Sequence, residues 1–196
     1  MKIKICGLSR PEDIEYVNAS PPDYAGFVFA RSRRQVTPER AAELRAGLSD
    51  GIVPVGVFRD ESAETVAALY ESGVIAAVQL HGDEDAEYIR ALRALCGAPV
   101  IKAVRVTSAG DAALWDDCGA DYLLLDSGGG TGTPFDWSLI GSVVTPYFIA
   151  GGVNLGNIDE AAALRPFGVD VSSGAETGGL KDRGKIRELV EYVRRR

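Results

Sequence analysis

The chain has 196 residues, 46% hydrophobic and 25% charged, with 21 Lys and Arg against 28 Asp and Glu for a formal net charge of −7. That length suits a single domain with its own core, which buries roughly two-thirds of the surface of the unfolded chain. The acidic balance argues against a nucleic-acid-binding surface, which needs clustered Lys and Arg, and no run approaches the ~18 apolar residues of a membrane span.

In chain order, short apolar runs predict strands at 2–6, 24–29, 53–58, 76–80, 100–105, 122–126, 147–150 and 168–172. Helical patterns fall between them at 11–19, 38–48, 62–72, 84–96, 108–117, 155–163 and 182–195. Residues 127–134 are a glycine-rich loop, and only a short helix fits at 136–141. Thr37-Pro38 reads as an N-cap with Pro at the first helical position, and Ser62 opens a helix that Ser72-Gly73 closes. Strands alternating with helices imply βαβ units and a parallel sheet. Such a sheet is buried on both faces, as the continuous run Tyr122-Leu123-Leu124-Leu125 requires. Eight units in 196 residues allow about 24 residues each, enough for one strand, one helix and two short loops. Eight strands favour a closed single-domain (β/α)₈ barrel over an open doubly wound sheet, although about 250 residues is the usual size.

The opening Met1-Lys2-Ile3-Lys4-Ile5-Cys6-Gly7 is broken too quickly for a secretion signal, so a cytoplasmic protein is expected. Cys6, Cys96 and Cys118 are odd in number and widely spaced, which suggests reduced thiols rather than disulfides or a metal site. The single histidine, His81, excludes a multi-histidine metal centre.

In a barrel, the chemistry sits where the strands end. The apolar runs end on Cys6-Gly7, on the Arg31-Ser32-Arg33-Arg34 segment, on His81-Gly82, on Asp126, on Gly151-Gly152 and on Asp170-Val171-Ser172-Ser173-Gly174. Side chains alternate faces along a strand. Ile3 and Ile5 then pack on the helices, and Lys4 and Cys6 face the interior. A lysine placed there needs an anion and can lower a thiol pKa. Cys6 is equally the kind of small side chain that cores bury, and Asp126 also suits a loop cap. The glycines after strands seven and eight, Gly151, Gly152 and Gly174 with Ser173, leave backbone N–H groups open to a phosphate. Arg34 has the forked geometry for a substrate carboxylate. Arg31 and Arg33 read as solvated charge. His81 has no carboxylate partner in sequence and reads as a rim residue.

The segments Lys4-Ile5-Cys6-Gly7, Gly26-Phe27-Val28-Phe29, Val78-Gln79-Leu80-His81-Gly82, Gly130-Thr131-Gly132-Thr133-Pro134-Phe135-Asp136-Trp137 and Asp170-Val171-Ser172-Ser173-Gly174, in this order, resemble phosphoribosylanthranilate isomerases. The resemblance covers nearly the whole chain. It implies a cofactor-free barrel enzyme of tryptophan biosynthesis that performs an Amadori rearrangement on a small phosphorylated substrate, acting as monomer or homodimer. By matching position, Cys6 is the implied general base, Asp126 the general acid and Arg34 the ligand of the anthranilate carboxylate. His81 and Asp170 also stand near the substrate, and Gly151, Gly152, Ser173 and Gly174 hold its phosphate. An acid and a base near their working pH require Asp126 raised and Cys6 lowered. The related isomerase of histidine biosynthesis is an alternative, but it uses two carboxylates, and Cys6 stands where the first would be. A catalytically silent phosphate-binding barrel is another, and it would need neither Cys6 nor Asp126.

Overall fold

A computed structural model describes residues 1–128 and 136–196. Eight parallel strands close into a barrel in sequence order: β1 (Lys2–Cys6), β2 (Tyr24–Val28), β3 (Val53–Phe58), β4 (Ala77–Leu80), β5 (Val100–Arg105), β6 (Tyr122–Asp126), β7 (Tyr147–Ile149) and β8 (Gly168–Val171). Closure is made by β1, which pairs with both β2 and β8. The helices are α1 (Pro11–Ala19), α2 (Pro38–Ala46), α3 (Ala63–Glu71), α4 (Ala86–Leu95), α5 (Ile158–Ala163) and α6 (Arg183–Arg194). Among the described residues no helix is long and apolar enough to cross a membrane.

Most helix starts follow from local hydrogen bonding. The side chains of Thr37, Ser62, Asp85 and Asp182 accept from the backbone N–H three residues on, which satisfies donors that a helix leaves unpaired at its start. Gly73 sits at φ 76° just after α3, as a helix stop should.

The sequence reading needs correction at three places. The helix predicted at 108–117 is reduced to one 3₁₀ turn, Ala113–Trp115. Its intended first turn is taken over by Asp111, whose carboxylate accepts from the backbone N–H groups of Thr107 and Ser108 and from both hydroxyls. Asp and Ser compete with a helix in this way. Gly110 at φ 96° then turns the chain out of helical geometry. The second concerns residues 176–181, to which the sequence patterns assign no element. They form a hairpin, β9 (Glu176–Thr177) and β10 (Leu180–Lys181). Gly178 and Gly179 both have positive φ, 60° and 83°, the two-residue turn that a Gly-Gly pair favours. The short helix predicted at 136–141 is a 3₁₀ turn, Trp137–Ile140. Residues 129–135, which hold most of the predicted glycine-rich loop, lie outside the described residues.

Alternation sorts each strand between two environments. Outward residues such as Ile3, Ile5, Val78, Leu80, Leu123 and Leu125 pack under the helices in one continuous core. The interior holds a separate apolar cluster of Val55, Ala77, Ile101, Ala103, Leu124, Phe148 and Ala150. Tyr24, Tyr122 and Phe167 surround Phe148 at the N-terminal end of the strands, with ring centroids 5.5, 5.9 and 5.2 Å away. One end of the barrel is thereby plugged with rings, which leaves the other for polar groups. Phe148→Ala would leave a hole that rigid strands cannot close, and should cost about 3–5 kcal/mol in urea unfolding. A loss under ~1 kcal/mol would show that the plug is not a structural requirement.

Candidate active site

At the C-terminal end of the barrel, a cavity of about 590 Å³ opens among the strand ends. It brings together Cys6, Arg34, His81, Asp126 and Asp170, and also Gly151, Gly152 and Ser173. Gly174 lines an adjoining recess of about 360 Å³ with Gly152, Asn154, Ser173 and Lys185. Lys185 was not singled out in the sequence, where it reads as an ordinary lysine in the first turn of α6. The fold turns it back so that its ammonium donates to the Glu176 carbonyl at 2.6 Å, beside the recess.

Lys4 and Cys6 do face the interior. Lys4 is fully buried, and its anion is Asp170, at 2.8 Å on the neighbouring strand. Burial works against the Lys4 charge, but Asp170 and Cys6 outweigh it and hold the ammonium above its ordinary range. For Cys6 the outcome differs from expectation. Burial pushes the thiol up, and the lowering influence of Lys4 does not offset it. Part of the reason is that Asp170, which neutralises Lys4, also repels a thiolate.

Asp126 also departs from expectation. Burial raises its carboxyl, yet hydrogen bonding and charge from His81 and hydrogen bonds from Ser127 carry it below the usual carboxylate range. His81 therefore does have a carboxylate partner: its Nε2 lies 3.4 Å from Asp126 Oδ2. The two residues come from β6 and the end of β4, 45 positions apart in sequence, so no local pattern could pair them. Gly151, at φ 73°, lets the β7 loop pass close by, since a Cβ there would stand 2.7 Å from Asp126 Oδ1.

Arg34 is already committed on one edge. Its Nε and Nη2 fork onto Glu176 at 2.7 and 3.1 Å. Arg33, expected to be solvated, reaches the same carboxylate at 2.7 Å, and buried Lys181 does so at 2.8 Å. A guanidinium has five N–H groups, so three on Arg34 are left for another anion. Glu176 was missed because its role depends on the hairpin that carries it.

The family model described as N-(5'phosphoribosyl)anthranilate (PRA) isomerase matches residues 3–192. The chain belongs to the phosphoribosylanthranilate isomerase family. A relative from Endomicrobium trichonymphae, N-(5'-phosphoribosyl)anthranilate isomerase, is 45% identical over 199 residues, 98% of each chain. The phosphoribosyl anthranilate isomerase structure from Thermus thermophilus superposes with a TM-score of 0.89 at 34% identity, over 100% of this chain and 99% of the other. Another phosphoribosyl anthranilate isomerase structure, in complex with reduced 1-(o-carboxyphenylamino)-1-deoxyribulose 5-phosphate, has a TM-score of 0.85 at 33% identity, with both chains fully covered. Membership fits the pairing of one thiol with one carboxylate better than the two-carboxylate alternative.

Glu176 is the anion shared by Arg33, Arg34 and Lys181. Burial raises its carboxyl, but Arg34 and Lys181 pull it below the ordinary range. A depressed carboxylate contributes stability that is complete above its unfolded pKa of about 4.3 and lost as pH falls through the folded value. Glu176→Gln should therefore be less stable than the parent at pH 7, with the gap narrowing from about pH 5 downward in urea unfolding. A gap independent of pH would refute this account of the cluster.

Proposed function

We infer that the cavity carries out the Amadori rearrangement of N-(5-phosphoribosyl)anthranilate to 1-(2-carboxyphenylamino)-1-deoxyribulose 5-phosphate, a step of tryptophan biosynthesis. The observation that carries this reading is the placement of a buried thiol and a buried carboxylate at the rim of one cavity, Cys6 on β1 and Asp126 on β6, within a family-wide match.

The chemistry needs two proton transfers. Asp126, protonated, gives its proton to the ring oxygen as the C1–O bond breaks, and the anthranilate nitrogen supplies the electron pair that forms the Schiff base. Cys6, as thiolate, takes the proton from C2 to give an enolamine. The enolamine takes a proton at C1 as its 2-hydroxyl gives one up, the ketone results, and a proton passing through solvent from Cys6 to Asp126 restores the pair. Atoms and electrons balance within the substrate, so no cofactor is required. Arg34 receives the anthranilate carboxylate on the edge that Glu176 leaves open. The backbone N–H groups around Gly151, Gly152, Ser173 and Gly174 receive the phosphate, and Lys185 adds positive charge beside them. Asp170 lines the cavity next to Lys4, within reach of the sugar. The protein acts as a monomer or a homodimer. Reduced thiols and a metabolic substrate suit the cytoplasm. No part of this reading calls for nucleic acid or membrane.

Cys6→Ser and Asp126→Asn should each lower kcat by at least about a hundredfold while substrate still binds. Activity near the parent level in both variants would remove the mechanism. The pH profile is a separate test. With the thiol raised and the carboxyl lowered, the singly protonated pair persists between the two values, and a constant fraction of it has the proton on Asp126. Below the lower value both groups are protonated and no base exists. Above the upper one both are ionised and no acid exists. The profile of kcat/KM should be a broad plateau several units wide, and a narrow bell would mean that substrate binding reverses both shifts.

A further inference from the structure

Gln79 is the second inward residue of β4, after Ala77, and it is 1% exposed. Its Nε2 lies 3.2 Å from His81 Nδ1, while its Oε1 is buried without a hydrogen-bond partner among the described residues. The other imidazole nitrogen, Nε2, faces Asp126. The three side chains form a chain from amide to imidazole to carboxyl.

We propose that Gln79 is a positioning residue that directs the proton of the acid step onto Asp126 rather than onto His81. The proposal rests on Asp126 as the acid. When the amide N–H of Gln79 donates to Nδ1, the imidazole is neutral and carries its hydrogen on Nε2. The only basic nitrogen of that ring is then occupied. A proton entering the pair goes to the Asp126 carboxylate, from which it can reach the ring oxygen. With the amide turned over, Oε1 accepts from Nδ1–H instead. His81 then takes the proton as imidazolium, and Asp126 stays ionised in an ion pair, unable to donate. One amide rotation thus selects between an armed and an unarmed acid.

The unpartnered Oε1 marks this amide as held by its Nε2 contact with His81. Buried acceptors are nearly always satisfied, and Gln79 lines the cavity. The charged groups that share this side of the cavity are Asp126 from β6, Arg105 from β5, Arg59 after β3 and Asp83 on the His81 loop. A change at Gln79 alone leaves all four in place.

His81 is the single histidine of the chain, so a long-range ¹H–¹⁵N spectrum of labelled protein reports its tautomer without assignment. The parent should show hydrogen on Nε2 and a bare Nδ1. Gln79→Glu, which offers Nδ1 an acceptor only, should leave more of His81 doubly protonated at the same pH. Gln79→Met should lower kcat by about tenfold or more with KM changed less than about threefold. Hydrogen found on Nδ1 in the parent would overturn the proposal, and so would Gln79→Met with kcat within about twofold of the parent while Asp126→Asn is inactive. Full activity in Asp126→Asn would instead remove the acid assignment itself and the proposal with it.

Discussion

The buried ion pair between Lys4 and Asp170 is the constraint around which the rest of the molecule is arranged. It spans β1 and β8, the first and last strands, at the seam where the barrel closes. A lysine ammonium removed from water costs several kcal/mol unless its partner is close and well oriented, so closure in the wrong register would strand a charge. Such a pair contributes little net stability over an apolar substitute. Its effect is on specificity and on the neighbouring group: Lys4 and Asp170 together fix the electrostatic setting of Cys6, with opposite signs.

The same logic applies on the other side of the cavity mouth. Glu176 gathers Arg33, Arg34 and Lys181, and Lys181 also donates to the Ser172 carbonyl at the end of β8. Three cations crowded without that carboxylate would repel one another and leave Arg34 free to swing. The hairpin after β8 is therefore part of the substrate-binding apparatus, although it contributes no strand to the barrel. It holds the guanidinium in one plane, so that less side-chain entropy is lost when a second carboxylate docks.

Within the cavity, thiol and carboxyl are both biased toward the protonation states that do no work. Burial protects the Cys6 proton, and donors from His81 and Ser127 keep Asp126 ionised. An acid held ionised partly by side-chain donors can be released when those side chains find other partners. A thiol whose burial is its largest raising influence depends on what fills the cavity. Both groups are therefore open to adjustment by substrate, which a pair fixed permanently in the reactive state would not be.

Much of this was legible in the residues themselves. Strand number, parallel order and a closed barrel followed from eight apolar runs spaced about 24 residues apart, because a buried parallel strand leaves a continuous apolar signature. The inward direction of Lys4 and Cys6 followed from alternation alone. Two local features were overlooked although their signals were present: the Gly178-Gly179 turn of the hairpin, and the Asp111 loop that displaces a helix. The pairings that set the chemistry had no local signal. Lys4 with Asp170, Arg34 with Glu176 and His81 with Asp126 lie 166, 142 and 45 positions apart. A sequence displays which side chains a strand presents at its end. Only closure of the barrel decides which of them meet, and the balance of burial against those meetings sets the direction of each pKa.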